Sequence, residues 1–151
     1  MDEASTPTIL YCHCQYAQVV PKEVKEGVLR KLCDSATPFE AVADLCEMSA
    51  RKDPALARIA ASGAVKIAAC YPRAVKWLFA AANAPLPIDS AEVVNMRTMT
   101  AETICEALLH SPLQPNLPAG KVTLSANELP AAAGIDAPAP MTPPTVEAPA
   151  A

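Results

Sequence analysis

Two thiols flank an imidazole at Cys12-His13-Cys14, directly after the apolar run Ile9-Leu10-Tyr11. Deprotonated cysteine is a soft ligand and a redox group, and histidine is a nitrogen ligand or proton carrier near neutral pH. Three such groups in a row, where a buried strand should end, make the first candidate site. The competing role is that of cysteine as a small core residue. Four more cysteines follow, at 33, 46, 70 and 105. The acidic, polar opening MDEASTPT lacks the basic start and apolar core of a signal peptide. No apolar run approaches the roughly 20 residues that span a bilayer. The expected compartment is therefore the cytoplasm, where thiols stay reduced and metal, redox or core roles outrank a disulfide framework.

The elements that must position these groups follow from periodicity. After the run at 9–11, Val24, Val28, Leu29 and Leu32 share one helical face, and Pro21 suits the first turn, so a helix is expected from Pro21 to Cys33. Phe39 to Ala43 reads as a second strand. Asp44, followed three positions on by Glu47, caps a helix from Leu45 to Lys52. Asp53-Pro54 breaks that helix and opens another, which stops at Gly63. The run at 65–70, VKIAAC, is the clearest buried strand. A helix over 73–84, a strand over 92–96 and a helix over 100–109 complete the pattern. Strands alternating with helices predict a three-layer α/β domain, about four parallel strands with helices on both faces, over residues 8–109.

Residues 110–151 differ in composition. The ending AAAGIDAPAPMTPPTVEAPAA is dominated by alanine and proline, and proline denies the backbone both helix and central strand. Few large apolar side chains remain to offset ordering entropy, so a flexible tail is expected. KVTLSA at 121–126 offers an edge strand within it. With 12 basic and 16 acidic residues the net charge is −4, spread along the chain. No basic stripe invites nucleic acid.

This order of elements sorts the cysteines. Cys12 and Cys14 follow the first strand, Cys46 follows the second and Cys70 closes the third, so all four are expected on the carboxyl rim of a parallel sheet, where function gathers. Cys33 and Cys105 fall inside helices among apolar neighbours and are expected in the core. Cys46 belongs to a first helical turn, whose partial positive charge favours a thiolate. Four thiols from three loops suit a tetrahedral metal or an iron–sulfur cluster, although C-x-C is not a standard ligand spacing. A reactive thiol or dithiol, and plain core packing, stay open beside it. His13 is either a ligand or a locally hydrogen-bonded side chain. Trp77 and Phe79 are expected to pack on the sheet, and Arg73, Lys76 and Arg97 to be solvated charges or to meet an anion near the rim.

At these residues the chain resembles the N-terminal domain of the A subunit of heterodisulfide reductase, an iron–sulfur flavoprotein. The matching features are Cys12-His13-Cys14, the DLCE loop around Cys46, Ala69-Cys70-Tyr71-Pro72-Arg73 and Asn95-Met96-Arg97, in the same order over about residues 9 to 109. The family's flavin-binding domain and ferredoxin-type cysteine runs have no counterpart here, and Gln15 replaces the family's glycine after C-H-C. The resemblance implies a stand-alone small domain that supports electron transfer with a redox partner or reductase subunit. It implies an iron–sulfur cluster, the 4Fe-4S type among the candidates, on Cys12, Cys14, Cys46 and Cys70, with His13, Arg73 and Arg97 around it. The alternatives are an interaction or regulatory module with zinc or no metal, and a thiol enzyme using Cys70 or Cys46. Neither nucleic acid nor a membrane is an expected partner, and the oligomeric state is open.

Overall fold

Each apolar run marked above becomes a parallel strand. The computed structural model describes residues 6–120. The strands are β1 (Thr8–Cys12), β2 (Glu40–Val42), β3 (Val65–Ala69) and β4 (Ala91–Asn95). The helices are α1 (Lys22–Asp34), α2 (Leu45–Ala50), α3 (Pro54–Ala60), α4 (Pro72–Ala81) and α5 (Ala101–Leu109). The four strands form one sheet in the order β2-β1-β3-β4, every pairing parallel. This is the expected α/β architecture.

The chain moves from β1 out to β2, then reverses past β1 to β3 and β4. Right-handed crossovers put helices on opposite faces when the direction reverses. Accordingly α1 packs with α5, while α4 packs with α2 and α3. Covered on both faces, β3 is buried at all five positions, as a continuous apolar run should be. Its one charged residue, Lys66, is also buried, and its ammonium donates to the Ala107 and Ser111 carbonyls where α5 ends. A cation there satisfies orphan carbonyls and the negative helix end.

The helix starts follow their sequence signals. The Asp44 carboxylate accepts from the Glu47 N–H and caps α2. Asp53 caps α3 with Pro54 in its first turn, and the Thr100 hydroxyl accepts from the Thr103 N–H to cap α5. Two core expectations fail. Cys33 is exposed, because it falls off the Lys25–Val28–Leu32 face that α1 buries, whereas Cys105 is buried as expected. On α4, Phe79 is fully buried but Trp77, two positions earlier, is 54% exposed.

The boundary after Leu109 also falls too early. Asn116 lies beside β4: its side-chain oxygen accepts from the Val93 N–H and its amide donates to the Val93 carbonyl, both at 2.8 Å. The Gln114 N–H donates to Glu92, Lys76 donates to the Pro118 carbonyl, and Leu117 packs against the core. Proline removes helix and central strand but leaves an extended segment free to bond through its other residues. Composition alone does not reveal such a strap. The candidate strand at 121–126 and the rest of the Ala/Pro-rich segment lie outside the described residues.

Replacing Asn116 with alanine strips both bonds from Val93. The expected cost is about 1–3 kcal/mol, read as a lower urea midpoint at unchanged slope. An unchanged midpoint means that the strap adds nothing to stability.

Candidate functional site

In an open parallel sheet, the strand ends on either side of the point where the chain reverses direction leave a crevice. Here that point lies between β1 and β3, which are paired neighbours. Cys12 ends β1, and Cys70 follows the last residue of β3. Cys46 is the second residue of α2, just past β2. The four rim positions read from the sequence are therefore brought to one edge of the sheet. Cys14, two residues past the end of β1, lies on the same edge.

The loop after β1 is held tightly. The His13 N–H donates to the Val42 carbonyl and the Gln15 N–H to the Ala43 carbonyl, so the loop continues the β1–β2 pairing past the end of the sheet. Between them Cys14 adopts a left-handed backbone, φ 52°. That conformation costs a non-glycine residue about 1–3 kcal/mol and persists only where surrounding bonds over-determine it. The Cys14 carbonyl accepts from the Gln18 N–H, and its sulfur accepts from the Val19 N–H at 3.4 Å. The Cys12 sulfur accepts from the Leu45 N–H, also at 3.4 Å. Backbone N–H groups thus already point at two of the four sulfurs.

Asp44 joins this loop to α2. Its buried carboxylate accepts from the N–H groups of Tyr16 and Ala17 as well as Glu47. Burial alone would raise its pKa, but these hydrogen bonds outweigh burial and hold the carboxyl below its usual range. One carboxylate therefore sets the Cys14 loop against the turn that carries Cys46.

Three of the rim thiols are held toward the neutral form. Burial pushes Cys12 up to about 11, against N–H bonds from Leu45 and Cys14 and with help from the charges of Asp44 and Cys14. Although Cys46 is exposed over much of its surface, partial burial of its thiol raises its pKa, and the negative charge of Asp44 adds to this. The expected thiolate at the start of α2 is not favoured: burial, with the charge of the capping carboxylate added to it, outweighs the helix end. Cys70 is raised too, chiefly by burial, with the Arg97 guanidinium opposing.

The remaining candidates arrange themselves around the rim. The Tyr11 hydroxyl donates to the Lys25 carbonyl at 2.8 Å, which uses its only proton. Its 3.0 Å bond to His13 Nδ1 then places a proton on Nδ1 and leaves Nε2 outside that bond. Arg97 stacks over the Tyr71 ring at 4.8 Å, beside Cys70. Arg73 lines an apolar groove with Tyr71, Pro72 and Trp77. The Tyr11 relay and the second use of Asp44 carry no sequence signal. Lys25 does, since it shares the helical face of Val28 and Leu32.

As the side chains stand, no three His, Cys, Asp or Glu groups among the described residues are gathered so as to hold a metal ion. No helix among them is long and apolar enough to cross a membrane. No protein-family model, curated protein or solved structure matches the chain.

Two outcomes test this geometry. Asp44→Ala removes three charge-assisted bonds from backbone N–H groups and should cost about 3 kcal/mol in urea unfolding. Its amide shifts should concentrate at Tyr16, Ala17 and Glu47. For Cys12 the sign follows from its raised pKa: between 9.0 and about 11 the unfolded chain has lost the thiol proton while the folded chain keeps it. Stability contributed by this group is complete below that window and falls by about 3 kcal/mol across it. Urea midpoints of the metal-free protein at pH 8 and 10.5 should drop more steeply for wild type than for Cys12→Ala, and equal slopes would refute the shift.

Proposed function

We propose that this chain is a small redox-associated protein whose rim cysteines, Cys12, Cys14, Cys46 and Cys70, hold an iron–sulfur cluster, and that it exchanges electrons with a partner protein or reductase subunit. One observation carries this reading. Cysteines from three separate strand-to-helix loops lie along one edge of the sheet. The donor chemistry fits, because thiolate sulfur selects iron–sulfur clusters and zinc over hard cations. The N–H donors on Cys12 and Cys14 suit sulfur that carries negative charge. When bound, such a cluster supplies one-electron chemistry at a potential set by hydrogen bonding and solvent exposure.

The protein's own part is to hold Cys14 against Cys12 by the strained loop, to fix Cys46 through Asp44, and to place Arg97 beside Cys70. The raised thiol pKa values mean that ligation must displace protons, so loading should be favoured as pH rises. All six cysteines are free, which fits a reducing compartment such as the cytoplasm. A second reading rests on the spread of the side chains: because no three donors are gathered as they stand, an interaction module with zinc or no metal is the alternative.

Anaerobic reconstitution with iron and sulfide separates these readings. The cluster reading expects several irons with matching sulfide, a broad visible band, and loss of most of that band in each of Cys12→Ser, Cys14→Ser, Cys46→Ser and Cys70→Ser. Cys33→Ser and Cys105→Ser should leave it intact. One colourless metal without sulfide means zinc, and no metal at any pH between 7 and 9 removes the cluster.

A further inference from the structure

Two lysines are buried among the described residues, and their surroundings differ. Lys66 has two carbonyls on its ammonium. Lys25, only 8% exposed, donates to the Cys14 carbonyl alone, at 3.4 Å, and forms no ion pair with any described residue. An ammonium has three donors, and a buried charge without a counter-charge is costly. Lys25 lines a polar cavity of about 590 Å3 together with His13, Gln15, Gln18, Pro21 and Lys22. Glu26 also lines it, paired with Lys22 at 3.7 Å, so the surplus charge of the lining is the single positive charge of Lys25.

Two further features face the same space. The thirteen-residue helix α1 begins here, and its cap, Pro21, supplies no side-chain acceptor for the first N–H groups. Those groups and the positive helix end favour an anion. His13 lines the cavity with its Nδ1 engaged by Tyr11 and its Nε2 outside that bond. We propose that this cavity binds a small polar molecule through a carboxylate or phosphate group, which pairs with the Lys25 ammonium and the first N–H groups of α1, while another polar group of the same molecule hydrogen-bonds His13 Nε2. The volume exceeds what a bare oxyanion fills and matches a metabolite-sized ligand. The site stands whether or not the rim thiols hold a metal.

The test is an NMR titration of the full-length, isotope-labelled chain with sodium phosphate and, separately, sodium acetate, at ionic strength held constant with sodium chloride. Saturable shifts at the amides of Lys22, Glu23 and Lys25 are expected in the millimolar range. Saturation by phosphate assigns a phosphoryl ligand, and saturation by acetate alone assigns a carboxylate. Lys25→Met, which keeps the backbone carbonyl that Tyr11 uses, should weaken binding at least tenfold, while Lys25→Arg should stay within threefold of wild type. Gln18→Glu, an exposed change that puts a negative charge into the lining, should also weaken binding at least tenfold and keeps the test open if the lysine variant misfolds. No saturable shift with either anion, or an affinity unchanged in Lys25→Met or Gln18→Glu, overturns the proposal.

Discussion

The rim depends on one buried carboxylate. Asp44 accepts from two N–H groups of the loop after β1 and from one in the first turn of α2. Without it the loop bearing Cys14 would lose its carboxylate link to the helix bearing Cys46, and three N–H groups would need new acceptors. The charge of the same carboxylate adds to the burial that raises the pKa of Cys12 and Cys46. Positioning and reactivity are thus set by one group acting in opposite senses. It gathers the thiol-bearing loops and resists their ionisation.

That opposition explains why location and readiness differ at this site. The sheet topology brings Cys12 and Cys70 to either side of the point where the chain reverses direction, which requires only the order of the strands. Ionisation has to be supplied from outside, by a cation or by alkaline pH, because burial dominates at each thiol whose pKa is raised. Neutral thiols are poor nucleophiles. In the proposed role as ligands, a bound metal would itself stabilise the deprotonated form.

The strands and helix caps were legible because each rests on a local signal. The continuous apolar run of β3 and the capping residues Asp44, Asp53 and Thr100 all act within a few residues of themselves. The rim positions of the four cysteines followed from topology. What could not be read depends on contacts distant in sequence. The left-handed turn at Cys14 is held by residues from three segments, and the environment of Cys46 depends on a carboxylate that also serves another loop. Trp77 is exposed although it lies on the same amphipathic helix as Phe79, because a two-residue step turns a side chain toward the opposite face. Asn116 had no signal at all: an amide among prolines is indistinguishable from linker until its partner strand is known.

Asn116 also has a consequence for how the molecule behaves in company. β4 is an outer strand of the sheet, and an outer strand with free N–H and C=O groups is a template on which another chain can add a strand. The Asn116 side chain occupies both groups of Val93 at the middle of β4, and the backbone N–H of Asn116 occupies the Ala91 carbonyl. At the other edge β2 has only three residues, too few to recruit a neighbour effectively. A proline-flanked amide thus acts as a chain terminator for the sheet, closing its long edge to intermolecular β-pairing while leaving the thiol rim at the strand ends open.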